Sequence, residues 1–173
     1  QEKGRAVVEI WDIVDSDGVP TGKTTVRGHM HFEKGEYHLV VHIWVIDSHN
    51  RLLIQQRAAH KQPMPGEWAA TGGSAIAGES SKQAACRELY EELSIAADPV
   101  ELQLAARRIR KNAVNDIWYL RRDVALETLS LQKEEVSAVR WVSMQQLQNM
   151  VQTGEFHNYG SEYFKTIHSL LNA

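Results

Sequence analysis

Residues 38 to 47 are apolar on both sides of an extended chain: Leu39, Val41, Ile43 and Val45 fall on one face, Val40, Trp44 and Ile46 on the other. A strand with no polar face fits the centre of a sheet that is covered on both sides. The chain must therefore supply a packing layer for each face.

The flanking segments supply candidates for those layers. Val7 to Asp15 is β-branched and aromatic, Asp17-Gly18 marks a turn, and Lys23 to Met30 can return beside it, giving an N-terminal β extension over residues 1–36. In Arg51 to Arg57, Leu52 and Ile54 share one face while Leu53, Gln55 and Arg57 share the other. That strand delivers a cation beside the irregular loop Ala58 to Gly66, which contains Pro63 and Pro65. Glu79 to Leu93 reads as a helix: Ser80 with Gln83 forms a capping box, and Ala85, Cys86, Leu89 and Leu93 form the apolar stripe. Val100 to Arg110, Asp116 to Val124 and Glu135 to Val142 read as strands. Two helices occupy 143–171, with Ser143 and Ser161 as caps and Leu147, Met150, Val151, Phe164, Ile167 and Leu171 turned inward. The pattern predicts one α/β layered domain with a mixed sheet over residues 1–173, a length that can bury a sizeable core.

Charge and cysteine usage narrow the function classes. The net charge of -3 gives no overall basic field for nucleic acid. The basic run Arg107-Arg108-Ile109-Arg110-Lys111, with Arg121-Arg122, reads as a solvated strand edge that deters pairing. The single cysteine, Cys86, excludes an internal disulfide and suits a cytoplasmic setting; lying on an apolar stripe, it reads as a small core residue. Gln1 to Arg5 is polar, and no apolar run is long enough to span a bilayer. Neither membrane nor nucleic-acid partners are expected, while a homodimer through the N-terminal strands is compatible with the sequence.

The chemistry concentrates in the helix. Glu88, Glu91 and Glu92 are three and four residues apart and project from one side. Like charges so spaced repel by about 0.2–0.5 kcal/mol per pair. They also occupy the C-terminal half of the helix, where the macrodipole disfavours anions. A hard divalent cation reverses both penalties; Mg²⁺ takes oxygen ligands and bridges to phosphates. Arg87, four residues before Glu91, can brace that carboxylate. Gly73 lets backbone approach an ion closely and can offer its carbonyl. Taken alone, such a cluster is more often a solvated surface face.

The spacing from Gly73 to Ile95 resembles the Nudix box, G-x5-E-x7-R-E-U-x-E-E-x-G-U, in which U is aliphatic: Gly73, Glu79, Arg87, Glu88, Leu89, Glu91, Glu92 and Ile95 all match. Ser94 stands in place of the last glycine. That glycine closes the helix in a left-handed conformation, so a cost of roughly 1 kcal/mol or an altered helix end is expected. The resemblance implies an α/β/α sandwich and hydrolysis of a diphosphate linkage in a nucleoside diphosphate derivative or related small molecule. It implies Mg²⁺, with Mn²⁺ as an alternative, held by Glu88, Glu91, Glu92 and the Gly73 carbonyl, with Arg87 orienting the glutamates. The general base stays open among Glu91, Glu134 and Glu135.

A second likeness covers residues 31 to 95. His38-Leu39, Trp44, the run Leu52 to Arg57, Lys61 and Pro65-Gly66-Glu67-Trp68 resemble isopentenyl-diphosphate isomerase, which shares the Nudix fold. It implies that Arg57 and Lys61 bind diphosphate. His31 and His38 match the spacing of two of the isomerase's metal histidines. The isomerase also needs a cysteine and a third histidine after its tryptophan, where this chain reads Ala69-Ala70-Thr71-Gly72-Gly73-Ser74-Ala75. An isomerase-like branch of Nudix hydrolases fits better than the isomerase. A non-catalytic Nudix-fold module is disfavoured because every box glutamate is kept. Trp44, Trp68 and Trp118 are candidates to stack on a base, against the commoner role of aromatic core.

Overall fold

A computed structural model describes residues 7–172; the expectation for Gln1 to Arg5 lies outside them. β1 (Ile10–Val14) and β2 (Pro20–Val26) form an antiparallel hairpin. Its turn is set by Asp15, whose side chain accepts from the Asp17 and Val19 N–H groups, and by Gly18 at φ 76°. The hairpin is shorter than the sequence pattern suggests. Val7 and Val8 stay outside β1, exposed, and a turn closed by His29 N–H onto the Val26 carbonyl, with Gly28 at φ 88°, ends β2.

β3 (His38–Ile46) is the centre of the main sheet. It runs parallel to β8 (Ala113–Arg121) in full register from His38↔Ala113 to Ile46↔Arg121. On its other side it pairs antiparallel with β6 (Thr71–Ser74), and at its end with β4 (Leu52–Arg57). β4 also pairs with β5 (Trp68–Ala69) and β9 (Val136–Val142), while β7 (Gln103–Arg110) forms the outer edge on β8. The sheet is mixed, as expected. β7 starts late because Pro99 opens a 3-10 turn capped by Asp98, and β8 starts early because Lys111, at φ 49°, turns the chain directly back.

The two faces of β3 divide the core. Leu39, Val41, Ile43 and Val45 pack with Leu53 against α1 (Ser81–Leu93), through Ala85, Leu89 and Leu93. Trp44 and Ile46 pack with Leu52 and Ile54 against α2 (Met144–Thr153) and α3 (Ser161–Leu170), through Leu147, Tyr163 and Ile167. The result is the α/β/α sandwich. Ser80 and Ser143 cap α1 and α2 with complete capping boxes on Gln83 and Gln146. Ser161 does not cap α3; Gly160 occupies that position without a side-chain bond, and Ser161 is the first helical residue.

The basic run is not a simple solvated edge. Arg107 makes a two-point contact with fully buried Asp116 at 2.7 and 2.8 Å. Arg108 lies over the Tyr163 ring at 4.5 Å and donates to the Tyr159 carbonyl. These arginines tie the edge strand to buried groups and to α3.

Candidate active site

β6 fixes the site because it is threaded between β3 and α1. Val41 pairs with Gly73 and His42 with Gly72. A Cβ on Gly73 would sit 2.6 Å from Glu88 Oε1, and one on Gly72 only 2.0 Å from the Val41 carbonyl oxygen. Gly72 is therefore required by close approach to backbone, while a Cβ at Gly73 would displace the Glu88 carboxylate. Apolar packing of Leu89 and Leu93 then rolls α1 so that Glu88 and Glu92 face β6.

A cavity of about 640 Å³ opens here. Gly73, Arg87, Glu88, Glu91 and Glu92 line one wall. Arg57, Lys61 and Glu135 reach it from β4, the following loop and the start of β9. Glu134, the neighbouring candidate base, is exposed and does not line it. A second cavity of about 390 Å³, between the hairpin and the start of α1, meets the box at Glu79 but at none of its other acidic residues.

Arg87 is the organising cation. It donates to both Glu79 oxygens at 2.7 and 2.9 Å, to Glu88 at 3.0 Å, to Glu91 at 3.1 Å and to the Ser74 carbonyl at 3.2 Å. Bracing of Glu91 is thus present, but the two-point partner is Glu79, whose role the spacing alone does not reveal. Burial works against the Glu79 carboxylate; bonds from Arg87 and the Ile76 N–H outweigh it and hold its pKa below the usual value.

Glu92 has a different environment. It is 5% exposed, and one oxygen accepts from Gln55 Nε2 at 2.8 Å. Burial, reinforced by the charges of Glu88 and Glu135, pushes its carboxyl up to about 8. Burial also raises Glu88, with Glu91 and Glu9 adding to the effect against Arg87. Glu91 is exposed, so the three carboxylates do not share one environment. Among the described residues no three acidic, imidazole or thiol groups already converge on a point. Arg87 and Gln55 hold the carboxylates instead.

The donor set nevertheless fits a hard cation. One buried and one partly buried carboxyl group, both with raised pKa, face a glycine cradle that a Cβ would fill. Beside them Gln55 Oε1 is buried with no hydrogen-bond partner, although Nε2 of the same amide donates to Glu92 and to the Ala70 carbonyl. Positive charge with its water shell would satisfy each of these groups.

The cations sit differently from a free phosphate clamp. Lys61 Nζ is paired with Glu135, and Arg57 Nε donates to the Pro63 carbonyl at 3.0 Å. Both remain on the cavity wall.

The NUDIX domain family matches residues 36–162. This chain belongs to the Nudix hydrolase family. A Nudix hydrolase of Listeria monocytogenes is 38% identical over 153 residues, which cover 88% of this chain and 90% of that protein. An isopentenyl-diphosphate Delta-isomerase of Nocardia farcinica is 32% identical over 136 residues, 76% of this chain and 77% of the isomerase. In fold, the chain is similar to the crystal structure of DR0079 from Deinococcus radiodurans, with a TM-score of 0.76 at 20% identity, covering 93% of this chain and 98% of that one.

Against the isomerase likeness, the two matching histidines of this Nudix chain part company. His31 is exposed and outside the cavity; His38 is packed between Trp11, at 4.4 Å, and Phe32, at 5.6 Å. Ala70 and Gly72 line the cavity where the isomerase needs reactive side chains. Cys86 packs half-buried against the core, and burial raises its thiol pKa. Trp44, Trp68 and Trp118 do not line the cavity; Trp44 is fully buried. The aromatic groups that do are Trp11, His38, His42 and Tyr159, of which only His38 was singled out in the sequence. Gln55 was visible only as a polar residue on a buried strand face.

Ser94 closes α1 at φ 58° and ψ 23°, the left-handed geometry expected of the box glycine. Its Oγ accepts from the Ser130 N–H at 2.7 Å, which offsets the strain. The helix end is preserved.

Proposed function

We propose that this Nudix hydrolase cleaves a diphosphate linkage in a nucleoside diphosphate derivative or related small molecule, with Mg²⁺ or Mn²⁺ as cofactor. The observation that carries the reading is convergence: Arg57, Lys61, Gly73, Arg87, Glu88, Glu91, Glu92 and Glu135 all line one cavity. Glu88, Glu91, Glu92 and the Gly73 carbonyl are the metal-holding groups. When bound, the ion supplies polarisation of the diphosphate, a lowered pKa for attacking water and neutralisation of the leaving group.

The chain's own residues divide the remaining work. Arg87 holds Glu79, Glu88 and Glu91 in place. Gln55 donates to one oxygen of Glu92, and the Gly72 N–H also bonds this carboxyl. Arg57 and Lys61 bind the diphosphate, and an anionic substrate competes with Glu135 for Lys61, releasing that carboxylate beside the cavity. Glu135 and Glu91 are the two candidates for the proton acceptor. Glu135 suits the role better, because Glu91 is bonded to Arg87.

The test is cleavage of nucleoside di- and triphosphates, nucleotide sugars and isopentenyl diphosphate, with Mg²⁺ and with chelator. Metal-dependent cleavage of one class supports the reading. Rearrangement of isopentenyl diphosphate, or binding without cleavage of any compound, overturns it.

A further inference from the structure

The β3 side of the cavity carries an unused polar group. His42 lines the cavity, and its Nδ1 lies 2.7 Å from the Tyr163 hydroxyl. That hydroxyl is enclosed: Tyr163 is 1% exposed, and its oxygen already accepts from Trp44 Nε1 at 2.9 Å. Trp44 Nε1 can only donate, so the hydroxyl's own proton needs an acceptor. Among the described residues the single one in reach is His42 Nδ1. His42 therefore carries its proton on Nε2. Nε2 has no protein partner among the described residues and is not sealed into the core. Tyr159, whose ring centroid is 4.9 Å from the imidazole, lines the cavity next to it.

We infer that His42 is a specificity-determining residue, held by Tyr163 as a neutral Nε2–H donor that recognises a hydrogen-bond acceptor on the organic group attached to the substrate's diphosphate. The inference rests on the cavity being the substrate site proposed above. It narrows the substrate to a group with ring or carbonyl oxygen or nitrogen acceptors, as in a nucleotide, and away from a hydrocarbon prenyl chain. Burial, aided by the charges of Arg108 and His157, holds the His42 pKa down to about 3, so the donor stays neutral through the physiological range. The diphosphate itself has cations elsewhere, Arg57 and Lys61, and a neutral imidazole is poorly matched to it.

Two measurements test this. Ring ¹⁵N–¹H spectra of the wild type at pH 7, with the signal assigned by its loss in His42→Phe, should show the Nε2–H tautomer, and Tyr163→Phe should mix the tautomers. An Nδ1–H or doubly protonated His42 in the wild type overturns the proposal. Binding is then measured by calorimetry, with Ca²⁺ to slow turnover, for UDP-glucose, ATP, NADH, isopentenyl diphosphate and inorganic pyrophosphate. His42→Phe should weaken the tightest nucleotide by about tenfold and pyrophosphate by less than about twofold. His42→Gln, which returns an amide N–H near the Nε2 position, should recover most of the loss. Equal weakening of pyrophosphate, no change for the nucleotide, or tightest wild-type binding of isopentenyl diphosphate overturns it. Failure of the wild type to hydrolyse a nucleotide that binds in this way removes the proposed reaction while leaving the recognition standing.

Discussion

The two walls of the cavity solve opposite problems. The α1 wall gathers Glu88, Glu91 and Glu92, three acidic side chains on the C-terminal half of a helix, and restrains them with Arg87 and Gln55. The β3 wall has no net charge at His38 and His42: burial lowers both imidazole pKa values, to about 4 and about 3, and aromatic partners fix the rings. One wall stores electrostatic cost that a cation removes. The other stores none, and offers shape and a directed donor. The proposed substrate, a charged linkage with an uncharged appendage, would use both.

The sharpest way to break this contrast is on the charged wall. Glu92→Gln keeps volume and the buried contact but removes a charge, and should lower turnover by on the order of 100-fold or more with the melting temperature preserved. Steady-state kinetics and a thermal melt check this, and wild-type turnover would refute the role given to Glu92. The packing beneath each wall should matter equally. Leu89, beneath the carboxylates, and Ile167, beneath the aromatic wall, are both fully buried. Leu89→Ala and Ile167→Ala should each cost about 2–5 kcal/mol in urea unfolding. A much smaller loss at either would show that its wall is loosely packed.

pH should separate the walls by sign. His38 and His42 have folded pKa values below the ordinary 6.5, so the unfolded chain binds more protons there. Their contribution to stability is complete above pH 6.5 and is lost as pH falls toward 4 and 3. Glu92, raised from 4.5 to about 8, runs the other way without metal: its contribution is complete below 4.5 and is lost as pH rises through 8. In chelator, Glu92→Gln should shrink the alkaline decline in the urea midpoint, leaving the part due to Glu88, and leave the acid decline intact. An unchanged alkaline limb would mean that Glu92 is not its source. The smallest effect is expected at the end of α1. Ser94→Gly relieves left-handed strain but loses the bond to the Ser130 N–H, so stability should move by less than about 1 kcal/mol.

The contrast also explains what was legible in the sequence. The two-faced pattern of β3 predicted both core layers, because alternation along a strand is local, except that Val40, expected beside Trp44 and Ile46, lines the cavity instead of joining the core. The charged wall was equally legible, since Glu88, Glu91 and Glu92 belong to one helix and their spacing alone aligns them. The neutral wall was not. His42 and Tyr163 are 121 residues apart, and their contact exists only once α3 packs on β3. Gln55 and Glu92 likewise meet across 37 residues. Tryptophans were poor guides for the same reason: Trp44 was a candidate for stacking, yet burial takes it into the core, while Trp11 reaches the cavity from the hairpin.

In the proposed reaction the α1 carboxylates hold a divalent ion against Gly73. Calorimetric titration of Mn²⁺ into the metal-free protein, beside Glu88→Gln, tests it most directly. Saturable binding is expected in the wild type, weakened at least about tenfold in Glu88→Gln, where the carboxylate facing Gly73 has lost its charge. Equal Mn²⁺ affinity in the two proteins would contradict it and move the ion, and with it the reaction centre, elsewhere on the molecule.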